Sequence, residues 1–256
     1  MLLAAWAFNS IIWGEHIADL MVRGFRRVTL DRRSHGRSDA ASGGYDLDTL
    51  ADDVAALFEQ RDLGGTVIVT YSMGSIEAVR YLTRHGTRRV RKLVLAAPTT
   101  PFLTKTEDNS DAVPAAAMEA QNKAISKDFA KWAAENELPF VMPDTIPETR
   151  TWLSGMILSV PLPALLACRR TICAAERAEL AELDLPTLIL QGDKDASAPL
   201  PLTGVKTAKL IKREQAGSIR RRPPRTCIHR SGAFSQRRSG LHRGVMWDVQ
   251  ARLLSH

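Results

Sequence analysis

Ser72 constrains this chain more than any other residue. It lies in Val67-Ile68-Val69-Thr70-Tyr71-Ser72-Met73-Gly74, where an apolar strand run breaks into a turn and a helix begins. Small-x-Ser-x-small between a buried strand and a helix start is the sequence form of a nucleophile elbow. The tight turn pushes the hydroxyl out at the carboxyl end of a sheet, where backbone N–H groups and the positive end of the helix can hold a developing anion. Gly74 meets the demand for a small residue fully. Thr70 meets it only in part, since the usual first residue is Gly. Five residues of this kind also match a chance strand–turn–helix, so the flanking elements decide.

Those elements agree with one another. Arg27-Val28-Thr29-Leu30-Asp31-Arg32-Arg33-Ser34-His35-Gly36-Arg37-Ser38-Asp39 is a short strand followed by a polar turn. From Gly44 to Arg61 the residues Leu47, Leu50, Val54, Leu57 and Phe58 recur at helical spacing. Arg91 to Pro98 and Pro186 to Asp195 are further strands, the second ending in Gln191-Gly192-Asp193-Lys194-Asp195. Short apolar runs alternating with amphipathic helices predict βαβ units and a mostly parallel sheet of the α/β class.

On these residues the chain resembles the α/β-hydrolase superfamily, in the branch of cofactor-free bacterial haloperoxidases, perhydrolases and aryl esterases. The matching pieces are Trp6-Ala7-Phe8-Asn9-Ser10, the Asp31 to Asp39 turn, the Ser72 elbow and Gly192-Asp193-Lys194-Asp195, and residues 1–212 follow in family order. The resemblance implies an α/β-hydrolase fold whose parallel sheet is flanked by helices under a helical lid. It makes Ser72 the nucleophile, and Asp195 the acid, with Asp193 as the fallback. A loop aspartate that merely caps a turn is the plain alternative for Asp195. By position the N–H groups of Trp6 and Met73 form the oxyanion hole. No metal and no cofactor are implied.

Both ends depart from the family pattern. The chain opens Met1-Leu2-Leu3-Ala4-Ala5-Trp6, so Ala4-Ala5 stands where the family carries His-Gly, and the first family strands are expected to be absent. At the other end a histidine is due roughly thirty residues after the acid, in an apolar-Pro-His-Gly setting. The histidines are His16, His35, His85, His229, His242 and His256, and none has that setting; His229, among arginines, is the remaining candidate.

Charge shows where the pattern breaks. Residues 212–256 hold 11 Lys and Arg against 2 acidic residues, while the whole chain is +7, so residues 1–211 are net −2. An Arg-rich arm would ordinarily suggest nucleic-acid binding or disorder. Codon arithmetic suggests a frame change instead. With one nucleotide slipped after Lys212, codons compatible with the tail spell G-S-K-L-E-V-Y-E-D-A-P-H-G-L, a strand followed by Pro-His-Gly. The expectation is a chain truncated at its start, frame-shifted after Lys212, and impaired for want of its histidine.

The expected organisation is a hydrolase core with the elbow over 1–98, a helical lid over 99–184, a strand and acid loop over 185–212, and a basic, disordered or non-native tail over 213–256. Lid candidates Trp132, Trp152, Met156, Leu158, Leu162 and Leu165 suggest a small apolar acyl or aryl pocket, although ordinary helix packing explains most of them. Tyr71 and Phe102 are expected to line it, Phe102 because it follows a strand's carboxyl end. At 256 residues and 45% hydrophobic content the chain can bury one sizeable core. Its three cysteines fit no metal spacing and read as reduced, cytoplasmic thiols. The implied partner is a small ester or carboxylic acid, not a membrane and not nucleic acid, with homo-oligomerisation left open. A competing reading is a non-catalytic protein whose basic tail binds nucleic acid or another anionic surface; the tail has only Phe234 and Trp247 as aromatics, few for a single-strand binder.

Overall fold

The computed structural model describes residues 1–212, apart from 102, 108, 137–140, 142–144, 174–177 and 194. The basic segment 213–256, and with it every expectation about a frame change, lies outside the described residues.

A parallel sheet organises the chain. Its strands are β1 (Leu2–Leu3), β2 (Thr29–Leu30), β3 (Thr66–Tyr71), β4 (Val90–Ala96) and β5 (Thr187–Leu190), in the order β2-β1-β3-β4-β5. Leu2 pairs with Thr29 on one side and Val69 on the other, while Val69 pairs with Val94 and Val94 with Leu188. The strands read as near-continuous apolar runs because both faces of the sheet are covered. Alternation is still visible: on β4, Val94 joins one buried cluster, and Leu93 and Leu95 join the other.

Helices α2 (Leu47–Gln60) and α3 (Gly74–His85) pack together on one face. Asp46 starts α2 by accepting a hydrogen bond from the Thr49 N–H at 2.9 Å, the usual way of satisfying an orphan donor at a helix start. The apolar stripe of α2 then buries Leu50, Val54 and Phe58, and Phe58 stacks on Tyr81 of α3 at 4.8 Å. The remaining helices at this level are α1 (Gly14–Val22) and α9 (Gly204–Leu210), the latter against β5.

Between β4 and β5 come α4 (Ala115–Lys127), α5 (Phe129–Glu135), α6 (Pro147–Leu158), α7 (Leu162–Cys173) and α8 (Ala178–Glu182). Asp128 separates α4 from α5: its backbone is extended, and its side chain caps α5 by accepting from the Lys131 N–H. Trp132, Leu153, Met156 and Leu165 share a buried cluster with Trp6, Tyr71 and Met73, so these helices cap the carboxyl end of the sheet. Trp152 and Leu158 do not join them. They are 40% and 46% exposed, which corrects the expectation that they line an apolar pocket. Among the described residues no single helix is long and apolar enough to cross a membrane.

Candidate active site

The carboxyl ends of β1, β2, β3 and β5 bring four loops together. At the end of β3 the chain turns at Ser72, whose φ is 50°. A left-handed backbone at a residue with a Cβ costs about 1–3 kcal/mol and persists only when its surroundings impose it. The imposing bonds are visible. The Ser72 N–H donates to the Ala96 carbonyl at 3.0 Å, continuing the strand pairing, and the Ser72 carbonyl accepts from the Ser75 N–H at 2.8 Å.

The neighbours of Ser72 explain the small-residue pattern. A Cβ added at Gly74 would lie 2.7 Å from the Leu3 carbonyl oxygen, because the first turn of α3 lies directly against β1. No side chain fits there. Thr70, two residues before Ser72, is fully buried, and its hydroxyl donates to the Val94 carbonyl at 3.1 Å. That bond is how the site accepts a β-branched residue where the family pattern has Gly.

The loop after β1 runs from Ala4 to Asn9 beside the elbow. Its positive φ, 62°, falls on Ala7 and not on Ala5, so the missing Gly before Trp6 is accommodated two residues later. Trp6 is 6% exposed. Its indole N–H donates to the Leu165 carbonyl of α7 at 2.9 Å, and its ring meets Trp132 of α5 edge-on at 6.0 Å. Across the turn, the Met73 N–H makes no hydrogen bond among the described residues. It caps the start of α3, where a donor and the helix dipole point the same way. Tyr71 is buried and stacks on Phe8 at 6.4 Å.

A buried ion pair holds this loop to the elbow helix. Arg32, in the turn after β2, is 5% exposed and bonds to Glu77 of α3, which is 3% exposed. Its guanidinium also donates to the Ala4 carbonyl at 3.0 Å and the Ala5 carbonyl at 3.4 Å. Burial works against the charge on Arg32, but Glu77 more than offsets it and raises the pKa. Sequence reasoning placed Arg32 in a polar turn and passed over Glu77. The available signal was a carboxylate on the apolar side of an otherwise amphipathic helix, flanked by Ile76 and Ala78. Asp31 ties the same turn to the loop by accepting from the N–H groups of Ser10 and Arg37. Gly36 is required there: its φ is +55°, and a Cβ would lie 2.6 Å from Asp31 Oδ2.

Asp195 follows β5 and is 7% exposed. Its Oδ1 accepts from the Ser197 N–H at 3.0 Å, the Ser197 hydroxyl at 2.9 Å and the Ala198 N–H at 2.9 Å. Among the described residues its Oδ2 has only the Gln191 side-chain amide, at 3.4 Å. Burial raises the Asp195 pKa, partly opposed by these hydrogen bonds. One oxygen anchors the turn while the other is left nearly unengaged, which suits a carboxylate that orients a further donor. Asp193 is exposed. Gln191 is the residue that sequence reasoning missed here: it also accepts from the Gly204 N–H at 2.9 Å, fixing the acid loop to α9.

None of the described histidines hydrogen-bonds to Ser72 or Asp195. His35 is fully buried, its Nδ1 bonded to the Arg33 carbonyl at 3.0 Å, and burial followed by the charge of Arg32 lowers its pKa to about 4. His16 packs on Trp13, and burial lowers it to about 4 as well. His85 pairs with Asp52 at the far end of α3, about 17 Å from the elbow by helical rise. His229 and Phe102 lie outside the described residues. Among the described residues no group of three or more His, Cys, Asp or Glu side chains is placed to hold a metal ion.

A parallel α/β sheet with a strained serine between β3 and α3 defines the class to which the fold belongs. Comparison with known proteins extends this: residues 3–143 match the alpha/beta hydrolase fold family. A Synechocystis sp. protein assigned as a non-heme chloroperoxidase is 35% identical over 221 residues, covering 84% of this chain and 80% of that protein. The bifunctional esterase/perhydrolase of Acinetobacter calcoaceticus is 30% identical over 224 residues, covering 81% and 78%. The crystal structure of a bromoperoxidase from Bacillus anthracis superposes with a TM-score of 0.79 at 28% identity, covering 83% of this chain and 80% of that one. The chain belongs to the α/β-hydrolase family, in the branch that holds non-heme haloperoxidases and esterases.

Proposed function

We propose that this chain is, by descent, a serine hydrolase of small carboxylic esters with Ser72 as its nucleophile. One observation carries the reading: the left-handed Ser72 at the β3–α3 junction, followed by a Met73 N–H that bonds to none of the described residues. In this reading the Ser72 Oγ attacks the ester carbonyl, and the oxyanion is held by the N–H groups of Trp6 and Met73. An imidazole takes the serine proton and returns it to the leaving alcohol. Water then clears the acyl-enzyme, or hydrogen peroxide clears it to give a peracid, as suits a relative of an esterase/perhydrolase. Asp195 would orient the imidazole through Oδ2. Tyr71 and Phe102 would face the acyl group.

The same reading makes the chain a poor catalyst. His16, His35 and His85 are committed elsewhere, and removing one triad member leaves only about 10³–10⁴-fold acceleration over water from binding and the oxyanion hole. The test is p-nitrophenyl acetate turnover, with and without peroxide, for the full chain and for Ser72→Ala. Slow turnover lost in Ser72→Ala supports the proposal, and turnover unchanged in that variant overturns it. Loss of the rate in His229→Ala would assign the base to that residue and remove the claim of impairment. The coding DNA across the Lys212 codon tests the frame expectation directly.

A further inference from the structure

Arg169 differs from every other arginine with a shifted pKa. Arg32, Arg33, Arg80 and Arg84 each bond to a carboxylate, respectively Glu77, Asp53, Asp48 and Asp52, and each has its pKa raised. Arg169, on α7, forms no ion pair among the described residues, and burial lowers its pKa. Its partners are neutral. Nε donates to Asn122 Oδ1 at 2.8 Å, and Nη2 reaches the Gln121 side-chain oxygen and, at 4.0 Å, the Met118 sulfur. Nη1 donates to none of the described residues. Glu119 reaches Asn122 Nδ2 at 3.4 Å but does not pair with the guanidinium.

The position of this cation matters as much as its isolation. Its Cζ lies 5.5 Å from the centre of the Trp6 ring. Trp6 lies in the loop after β1 and shares a buried cluster with Tyr71 and Met73, the neighbours of Ser72, and its indole N–H is fixed on Leu165, one turn before Arg169 on the same helix. Arg169 therefore sits on the cap, across one aromatic ring from the oxyanion loop. Asn122 and Gln121 fix its planar fork from one edge, and no described residue accepts from the Nη1 edge. A half-desolvated guanidinium held in one orientation favours a planar anion able to accept two parallel hydrogen bonds.

We propose that Arg169 is the anchoring point for a carboxylate carried by the substrate, so that the preferred esters are half-esters of short dicarboxylic acids. The ester carbonyl lies at Ser72 and the free carboxylate on the Nη1 edge of Arg169. The inference rests on the Ser72 reading for where the ester sits, but its test does not require turnover.

Calorimetry on full-length Ser72→Ala protein would compare monomethyl glutarate with dimethyl glutarate, which lacks the charge. The monoester should bind at least about tenfold more tightly, the scale of one charge-assisted hydrogen bond. Arg169→Met should abolish that preference while leaving the diester unchanged, and Arg169→Lys should keep part of it. Equal affinity of Ser72→Ala protein for the two esters, or failure to bind either, overturns the proposal without any Arg169 variant having to fold. A monoester preference that survives in Arg169→Met overturns it too. Failure of p-nitrophenyl acetate turnover to depend on Ser72 would strike the hydrolase reading alone.

Discussion

Replacing Glu77 with Gln removes the only carboxylate bonded to Arg32 among the described residues, at a place where neither side chain reaches water. Breaking a buried pair from one side costs about 3–5 kcal/mol, because the surviving charge remains desolvated and uncompensated. For a chain of this size each kcal/mol moves the melting midpoint by roughly 2–4 °C, so a drop of about 6–20 °C is expected. Arg32→Met should cost at least as much. It leaves the Glu77 carboxylate buried and also strips the donor from the Ala4 and Ala5 carbonyls, each worth about 1–3 kcal/mol when buried unbonded. The double variant Arg32→Met with Glu77→Gln carries the deciding sign. Adding the second substitution to the first should recover stability, by about 1 kcal/mol or more, since it removes an orphaned charge. Urea unfolding of the wild type, both single variants and the double variant measures all these terms. Additive losses, or a Glu77→Gln cost below about 1 kcal/mol, would refute the claim that this pair clamps the loop.

Ser72→Gly should stabilise the fold by about 1 kcal/mol while abolishing acyl transfer, because glycine relieves the left-handed backbone; thermal melts showing a loss instead would mean that the turn is unstrained. Gly74→Ala should destabilise by about 1–3 kcal/mol, since its methyl meets the Leu3 backbone and not a movable side chain; urea midpoints check this. His35 has a folded pKa near 4 against an ordinary 6.5, so the unfolded chain binds the extra proton between those values. Its contribution, about 3 kcal/mol, is present above pH 6.5 and is lost as pH falls towards 4. His35→Asn should flatten the stability profile across that window, as followed by urea midpoints at successive pH values.

The elements that read clearly from the sequence were those with a local pattern. The strands around Val69, Val94 and Ile189 announced themselves as short continuous apolar runs, and α2 through apolar residues three to four apart. The elbow was legible because Gly74 answers a steric demand that the sequence displays. What stayed hidden depends on partners remote along the chain. Arg32 looked like a surface residue because nothing local reveals that Glu77, forty-five positions on, meets it inside the protein. Arg169 was hidden for the converse reason: its distinction is the carboxylate that it lacks. Trp152 and Leu158 misled because an apolar side chain on a short helix carries no record of which side faces the sheet. The two-residue β1 is too short for any alternation to show, and only its pairing with β2 and β3 defines it.

Trp6 is a member of two working parts at once, the loop beside the serine and the roof above it, through its bond to Leu165. Any repacking of α5 or α7 that widened the entrance would therefore pull on the same peptide to which the proposed mechanism gives the oxyanion. Variants selected for bulkier substrates should pay in rate, and improving both together would require an indole anchored somewhere other than the roof.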